Sequence, residues 1–271
     1  HNKKISIDNL YFVASSNSAG STLKFGDKEI KVENLENFDF SKVNISFFSA
    51  GKTISEKYVP LAAKHSVVID NSSFFRMDPD VPLIVPQVNK DHLKNIKKNI
   101  IANPNCSTAQ LVIVLKSLND NFKIKRIVIS TYQSTSGAGK KPMDELIDQT
   151  KSILNNKSFE VKNFTKQIAF NAIPHIDSFS DDGYTKEELK MIKETNKILG
   201  TKIDITATCV RIPVLVSHAE SVNIEFENDF SIKKVKELLN TAEGCKVVDE
   251  NSDGGYICLL YTSDAADDIR R

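Results

Sequence analysis

The sequence predicts an α/β protein whose first domain is built on a parallel sheet and whose second domain is α+β. The first observation is a pair of short, continuously apolar runs, at residues 67–70 and 99–102, which are typical of strands buried on both faces. The second is that strand-like runs alternate with amphipathic segments such as residues 53–64, which indicates crossover units and a parallel sheet. Two further strands are predicted in this domain, at residues 10–14 and 43–48.

The pattern changes after residue 118, where longer alternating strands appear with helices between them. This change predicts an α+β domain with an antiparallel-leaning sheet and helices to one side, and we place the domain boundary near Cys106. The strands are predicted at residues 124–133, 204–214 and 221–227, and the helices at residues 142–154, 185–199 and 231–239.

Balanced charge and scattered cysteines argue against several classes of protein. The 271 residues include 36 Lys and Arg against 35 Asp and Glu, a net charge of +1, which argues against a binder of nucleic acid or of membrane surfaces. No apolar run reaches the roughly 18 residues of a membrane span. The cysteines form no C-x-x-C pair, so we expect neither a metal site nor a disulfide framework, and we expect a reducing cytoplasm. They are Cys106, Cys209, Cys245 and Cys258.

Residues 103–108, with the sequence NPNCST, place a cysteine at the start of a helix. The apolar spacing of residues 111–118 predicts that helix, and Ser107 and Thr108 are residue types that satisfy N–H groups in a first turn. These N–H groups and the helix dipole lower a thiol pKa and could hold an oxyanion, so Cys106 is a candidate nucleophile. The alternative is a small buried apolar residue, and this stretch alone leaves the two readings even.

Polar segments follow three of the predicted parallel strands. They are residues 49–51 (SAG), 70–73 (DNSS) and 103–106 (NPNC). Because ligands bind at the carboxyl ends of parallel strands, which share one edge of the sheet, we expect these segments to converge on one site.

Two arginines lie in places where a positive charge needs an anionic partner. Arg211 is inside an otherwise apolar run, and Arg76 follows a strand end. For Arg211, an anionic ligand and an internal carboxylate are equally open. For Arg76, an ion pair with Asp78 or Asp80 is slightly favoured over a ligand.

The remaining candidates are polar residues near strand ends or on a helix face. His218 is predicted in a loop between two strands, where it could act as an acid or base, although a lone histidine is more often structural. Gln133 ends a strand before the small-residue loop 134–139, which would allow a ligand to approach the backbone closely. Glu187 and Lys190 are three residues apart on a predicted helix, and a solvated ion pair is the default interpretation.

Together these segments carry a family resemblance. Residues 72–82, 103–108, 133–139 and 211–218 match in order and spacing, and the chain from about Leu10 to Ile257 closely resembles aspartate-β-semialdehyde dehydrogenase. The resemblance implies an N-terminally truncated, Rossmann-like parallel-sheet nucleotide domain. It also implies an α+β catalytic and dimerisation domain like that of glyceraldehyde-3-phosphate dehydrogenase. The domains are expected at residues 1–105 and 106–257, with a probable non-native tail at residues 258–271.

The resemblance also implies a reaction and a set of roles. In that family NADPH reduces L-aspartyl 4-phosphate to aspartate semialdehyde and releases phosphate, a step in lysine, threonine, methionine and diaminopimelate biosynthesis. Cys106 resembles the nucleophile that forms an acyl-thioester, and His218 resembles the acid or base. The implied substrate-binding residues are Gln133, Arg211 and Glu187, and the implied phosphate-binding residues are Arg76, Asn105 and Lys190.

The cofactor implied by the resemblance is NADP. The positions that match its contacts are Ser15, Asn17, Ser18, Ser49, Gly51, Ser136 and Gly137. Asn17 stands where the family usually has an arginine near the 2′-phosphate, so the preference for NADP over NAD stays open. The family's glycine-rich loop is expected before His1 and its C-terminal cofactor helix after Ile257, so we expect this chain alone to turn over little or not at all.

Family members are homodimers, and we expect a homodimer acting on a small molecule here. One alternative is N-acetyl-glutamyl-phosphate reductase, which resembles this family in fold and thioester chemistry but typically has GCYP at the cysteine. The other is a non-catalytic ligand-binding module on the same scaffold. The joint presence of Cys106, Gln133, Arg211 and His218 argues against such a module.

Overall fold

The computed structural model describes residues 6–256, so the predicted tail and Cys258 lie outside the described residues. Two three-stranded sheets form the N-terminal region, and the second of them has the predicted parallel arrangement. The first sheet has the order β1-β3-β2, with β1 parallel and β2 antiparallel to β3. Its strands are β1 (Phe12–Ala14), β2 (Thr22–Phe25) and β3 (Lys28–Asn34).

The second sheet is formed by β4 (Ile45–Phe48), β5 (Val67–Asp70) and β6 (Ile100–Ala102), all parallel and in sequence order. Helix α1 (Lys52–Ala62) connects β4 with β5 as a crossover, as the alternating pattern predicts. The short helix α2 (Pro86–Asn89) precedes β6. Short 3-10 helices lie at Leu35–Asn37, Phe40–Lys42, Lys90–Asn95 and Thr135–Ala138.

The third sheet has the order β8-β7-β9 and is mixed, so the predicted antiparallel tendency is only half right. Strand β7 (Ile124–Gln133) lies in the centre, parallel to β8 (Asp204–Arg211) and antiparallel to β9 (His218–Phe226). The β7–β8 connection contains two helices and can therefore return the chain in the same direction. These are α4 (Lys140–Leu154) and α5 (Lys186–Leu199).

Helices α3 (Cys106–Phe122) and α5 pack against each other, and their apolar side chains share a core with one face of this sheet. Leu115 of α3, Met191 of α5, and Ile127 of β7 are fully buried there. Cys209 is also fully buried, which confirms its interpretation as an apolar core residue. Helix α6 (Ile232–Thr241) contacts α3 at the periphery. Between residues 6 and 256, none of the helices has the length and apolar character needed to cross a membrane.

Candidate active site

Cys106 is the first residue of α3, as predicted, but a different residue caps the helix. The side-chain oxygen of Asn105 accepts hydrogen bonds from the backbone N–H of Ser107 at 2.9 Å and of Thr108 at 3.3 Å. Ser107 and Thr108 are themselves buried, so they receive the cap and do not provide it. An asparagine in this position satisfies the N–H groups that a helix start leaves unpaired. Cys106 is exposed, so the alternative of a buried apolar residue is wrong.

The pKa of the Cys106 thiol is raised above its usual value, which is opposite to the predicted lowering. Protein atoms around the sulfur remove enough water to disfavour the thiolate, and the negative charge of Glu187 disfavours it further. Hydrogen bonds from the backbone at Ser107 and Cys106 act in the opposite direction without outweighing these effects. The helix start therefore favours the thiolate as expected, but burial and the negative charge of Glu187 outweigh it. A base is needed to remove the thiol proton near neutral pH.

Arg211, Gln133 and His218 form one row across the third sheet. Gln133 pairs in register with Arg211 on one side and with His218 on the other, so the three side chains share one face. His218 is the first residue of β9 and not a loop residue, which corrects its predicted position. Both β8 and β9 flank β7, so residues 212–217 must pass over the end of β7 and bring His218 beside Gln133.

Arg211 is buried and is held by a backbone carbonyl. Its Nη1 donates to the carbonyl oxygen of Ser134 at 2.6 Å. Burial lowers the pKa of the guanidinium from its very high ordinary value, and the nearby Glu187 carboxylate opposes this change. Arg211 forms no ion pair with any carboxylate of the described chain. The geometry therefore favours the anionic-ligand interpretation over an internal partner.

His218 and Arg211 both approach the backbone of Gly137, in the 3-10 helix that follows β7. A Cβ atom on Gly137 would lie 3.0 Å from Nη1 of Arg211 and 3.2 Å from Nε2 of His218. The other ring nitrogen of His218, Nδ1, lies 3.1 Å from the backbone nitrogen of Ser134 and 2.9 Å from the carbonyl oxygen of Ser217. The loop was predicted to let a ligand approach its backbone closely. In the structure, two candidate site residues make that close approach at Gly137.

Glu187 connects the cysteine helix with the row on the sheet. Its Oε1 accepts hydrogen bonds from Nδ2 of Asn105 at 2.8 Å and from Nε2 of Gln133 at 3.3 Å, and its Oε2 lies 3.0 Å from Nζ of Lys190. The predicted Glu187–Lys190 ion pair is confirmed, but Glu187 is buried and Lys190 also binds Asp177 at 2.9 Å. The pair is therefore part of the site and not a solvated surface pair.

The charges of this pair are mutually stabilised. Burial alone would raise the pKa of Glu187, but the positive charge of Lys190 lowers it below its usual value. Burial would likewise lower the pKa of Lys190, but the carboxylates of Glu187 and Asp177 raise it. Both groups are therefore charged at neutral pH.

Arg76 pairs with Glu194 and not with either predicted aspartate. Its Nη1 lies 3.1 Å from Oε1 of Glu194, and its Nη2 donates to the carbonyl oxygen of Asn71 at 2.9 Å. Asp78 and Asp80 instead accept hydrogen bonds from surface lysines. Glu194 is separated from Arg76 by 118 residues, so only the tertiary fold brings them together.

Glu194 and Lys197 on α5 were not among the predicted site residues. Glu194 contacts both Arg76 and the backbone N–H of Asn105, while Nζ of Lys197 donates to the carbonyl oxygen of Arg76 at 2.7 Å. The signal was available, because positions 187, 190, 194 and 197 follow the helical repeat with alternating charge. A charged stripe of this kind is usually solvated, but here Glu187 contacts Asn105 and Gln133, while Glu194 and Lys197 contact Arg76.

The polar segments at the strand ends do converge, as predicted. Nδ2 of Asn71, after β5, lies 3.5 Å from Oγ of Ser49, after β4, while Oδ1 of Asn71 accepts from Nδ2 of Asn103, after β6, at 2.7 Å. Gly51 precedes α1 as its N-cap, with a φ of 87°, a conformation that favours glycine. Asn71 links this edge to the site, because its carbonyl oxygen binds Arg76.

The other predicted cofactor residues fall into two groups. Ser15, Asn17 and Ser18 are exposed and lie in the turn after β1, at the carboxyl end of that strand. Ser136 is near the site, because its hydroxyl lies 2.9 Å from that of Ser134, which contacts His218. The structure thus brings Ser136 and Gly137 to the candidate active site. Within residues 6–256, no hydrogen bond joins Ser15, Asn17 or Ser18 to that site.

Two family models match this chain. The model described as the NAD binding domain of semialdehyde dehydrogenase matches residues 1–96, and the model described as the dimerisation domain of semialdehyde dehydrogenase matches residues 115–261. An aspartate-semialdehyde dehydrogenase of Rickettsia bellii is 49% identical over 255 residues, which is 93% of this chain and 75% of that relative. A relative of the same name from Campylobacter jejuni is 48% identical, over 95% of this chain and 77% of its own length.

Solved structures agree with these relatives. The crystal structure of aspartate semialdehyde dehydrogenase II from Vibrio cholerae superposes with a TM-score of 0.86 at 48% identity, covering 88% of this chain and 72% of that one. The same enzyme has been solved in complex with ASA, with a TM-score of 0.86 at 47% identity and the same coverage of the two chains. On sequence, on fold and on the residues gathered at this site, the chain belongs to the aspartate-semialdehyde dehydrogenase family.

Proposed function

We propose that this protein catalyses the NADPH-dependent reductive dephosphorylation of L-aspartyl 4-phosphate to L-aspartate 4-semialdehyde. The observation that carries the proposal is the row of Arg211, Gln133 and His218, which Glu187 ties to the helix that begins with Cys106. The row offers a cation, an amide and a proton-exchanging ring, and the helix offers a reachable thiol. Each is a group that an acyl phosphate carrying a carboxylate requires.

Two cationic subsites match the two anionic ends of the substrate. Arg211 is buried without an ion pair in the described chain and is assigned to the α-carboxylate. Arg76, Lys190 and Asn105 are assigned to the phosphate, since Arg76 and Asn105 are joined through Glu194, and Asn105 and Lys190 through Glu187. The V. cholerae enzyme has been solved in complex with ASA, which agrees with this substrate class.

The proposed chemistry begins with removal of the thiol proton of Cys106 by Nε2 of His218. The raised pKa of Cys106 makes this base necessary, and the tautomer that serves is the one whose Nδ1–H donates to the carbonyl oxygen of Ser217, since Nε2 is then able to accept the proton. The thiolate sulfur then bonds to the acyl carbon, and the bond from that carbon to the phosphate oxygen breaks, which leaves a thioester and inorganic phosphate. The N–H groups at the start of α3 are placed to receive the oxyanion.

In the second half-reaction the nicotinamide cofactor, when bound, supplies the hydride that reduces the thioester carbon. The resulting oxyanion re-forms the carbonyl as the carbon–sulfur bond breaks, and His218 returns its proton to the departing sulfur, which frees the aldehyde and restores the Cys106 thiol. Gly137 fits a role at the nicotinamide end. It is exposed, and because it has no side chain, a ligand can approach its backbone beside Arg211 and His218.

We propose NADP as the cofactor and assign Ser15, Asn17, Ser18, Ser49 and Gly51 to its remaining contacts. These residues lie at the carboxyl ends of β1 and β4, where nucleotides bind on parallel sheets. A structure from Candida albicans, 26% identical with a TM-score of 0.64 and covering 88% of this chain and 70% of that one, is described as an NADP complex. Asn17 has no charge to offer a 2′-phosphate, so discrimination against NAD is expected to be weak.

We further propose a homodimer, residues 1–105 and 106–257 as cofactor and catalytic domains, and a cytoplasmic location. The match to a dimerisation domain supports the first of these. The free thiols of Cys106, Cys209 and Cys245 support a reducing compartment.

The test is the reverse reaction, in which aspartate semialdehyde, phosphate and NADP yield NADPH absorbance. Because this chain spans 75% of the length of the R. bellii relative and is expected to turn over little alone, the assay is run on the chain completed with the matching segments of that relative. The proposal predicts that NADPH formation depends on phosphate and is abolished in Cys106→Ser, whereas Cys245→Ser, a matched control, keeps the rate of the wild type. Turnover of N-acetylglutamate semialdehyde in preference to aspartate semialdehyde would favour the reductase alternative. Absence of turnover together with an ordinary, unprotected Cys106 thiol would favour a non-catalytic binding module.

A further inference from the structure

We propose that Glu194 is a positioning residue of the phosphate subsite, which sets Arg76 and the Asn105 backbone at the start of α3 in one fixed arrangement. The proposal rests on the function proposed above, because it takes the phosphate subsite from there. Glu194 is not among the substrate-binding, phosphate-binding or catalytic residues proposed above. Its two carboxylate oxygens are used separately, one for each side of the subsite.

The geometry is that of a bridge between the two regions of the protein. Oε1 of Glu194 lies 3.1 Å from Nη1 of Arg76, which follows β5, and Oε2 accepts the backbone N–H of Asn105 at 2.7 Å. Glu194 has an exposed fraction of only 2%, and the side chain of Arg76 one of 9%. At that depth, a guanidinium and a carboxylate are restrained far more than in a surface pair.

Lys197 restrains the other side of Arg76. One turn further along α5, its Nζ donates to the carbonyl oxygens of Arg76 and Asp78 at 2.7 Å and of Val81 at 2.9 Å. The backbone of Arg76 is therefore fixed by Lys197 while its side chain is fixed by Glu194.

Arg76 retains hydrogen-bonding capacity after these contacts. Each terminal nitrogen carries two N–H groups, and one on each is used, by Glu194 and by Asn71. Its Nε is buried and has no hydrogen-bond partner within residues 6–256. A buried donor without a partner is costly, and an anionic ligand would offset that cost. Glu194 thus accepts one N–H of the Arg76 guanidinium and orients the remaining N–H groups.

A positioning role and a purely electrostatic role predict opposite results. If Glu194 only neutralised Arg76, its removal would strengthen the attraction of phosphate. If Glu194 positions Arg76 and Asn105, its replacement by glutamine weakens phosphate binding. The guanidinium of Arg76 and the N–H of Asn105 are both hydrogen-bond donors, and the NH2 group of a glutamine would face at least one of them without being able to accept. The direction of the change in phosphate affinity therefore decides between them.

The experiment measures protection of Cys106 from iodoacetamide, which does not require turnover. The rate of alkylation at Cys106 is followed by peptide mass spectrometry against increasing inorganic phosphate, and separately against L-2-aminobutyrate, which carries the amino-acid carboxylate but no phosphate. Buried Cys209, whose pKa burial raises to about 12, is expected to stay unlabelled and serves as a check of the fold. The matched control is Glu225→Gln, at an exposed ion pair with Lys125.

In Glu194→Gln and in Glu194→Asp, the phosphate concentration for half-protection is expected to rise at least tenfold, while that for L-2-aminobutyrate changes less than twofold. Glu194→Asp keeps the charge and covers the case in which the amide variant does not fold. Unchanged or tighter phosphate protection in the variants overturns the role of Glu194 and leaves the proposed function standing. Phosphate that fails to protect even the wild type overturns both.

Discussion

Gly137 lies close to Arg211, at a distance where an added methyl group would fit only if the guanidinium moved by a few tenths of an ångström. A Cβ atom there would be 3.0 Å from Nη1 of Arg211, which is itself held by the Ser134 carbonyl at 2.6 Å and has little freedom to withdraw. His218 is on the same side, at 3.2 Å. The glycine therefore allows two candidate site residues, Arg211 and His218, to approach the same stretch of backbone.

Gly137→Ala is accordingly expected to reduce kcat/KM by about tenfold, equivalent to about 1.4 kcal/mol, with little loss of stability. Its φ is not in the left-handed region, so the added methyl group displaces Arg211 and His218 without straining the backbone. The control is Ala138→Ser at the exposed neighbouring position, where activity should be kept. Steady-state kinetics and a melting curve of each variant check this. Full activity in Gly137→Ala would contradict the close contact.

Asn105→Ala is expected to lower both stability and the reactivity of the site. Loss of the cap exposes two N–H groups at the start of α3 and costs about 1–2 kcal/mol, and Glu187 loses one hydrogen-bond donor. For a protein of this size, the melting temperature should fall by about 3–6 °C.

The matched control for the cap is Asn34→Ala. Asn34 caps the exposed 3-10 helix Leu35–Asn37 through its side chain and contacts no candidate site residue through a described hydrogen bond. Its replacement should change the melting temperature by less than half as much as Asn105→Ala. Equal effects of the two substitutions would show that the Asn105 cap has no special importance.

Glu220 gives the protein a pH dependence that an amide substitution should remove. It lies on β9 opposite Thr131, two residues from His218 on the same face, and Oε1 is buried without a partner among the described residues. Burial raises its pKa to about 8, opposed by a hydrogen bond with Gln110 of α3. Because the folded state holds a proton that the unfolded state has lost above about pH 4.3, the stability contribution of Glu220 falls as the pH rises toward 8.

Glu220→Gln should therefore match the wild type near pH 5 and be more stable than the wild type at pH 9. We expect a difference in melting temperature of more than about 4 °C at the higher pH. Melting curves of both proteins from pH 5 to pH 9 measure it. A difference that is constant across this range would show that Glu220 titrates normally.

The parts of the fold set by local pattern were predictable. Residues 67–70 and 124–133 are strands with the predicted bounds, and α3 begins at Cys106 as expected, because apolar runs and helix starts are short-range signals. The strand at His218 was missed by three residues. Its first positions are only half-buried at a sheet edge, and their alternation is weak.

The parts of the site set by long-range pairing were not predictable from spacing. Arg76 and Glu194 are 118 residues apart, and Asn105 and Glu187 are 82 apart, so no local rule joins them. The thiol pKa was predicted in the wrong direction for the same reason. The local helix start favours a thiolate, whereas the distant Glu187 and the packing of the surrounding protein disfavour it.

The proposed mechanism makes Cys106 the residue that carries the acyl group, and intact mass spectrometry tests this most directly. The protein is incubated with aspartate semialdehyde and NADP in the absence of phosphate, so that the thioester forms and cannot be released by phosphate. The expected result is a mass increase of one aspartyl group that maps to the peptide of Cys106, disappears on addition of phosphate, and is absent in Cys106→Ser. An adduct on another residue, or one that persists in Cys106→Ser, would contradict it.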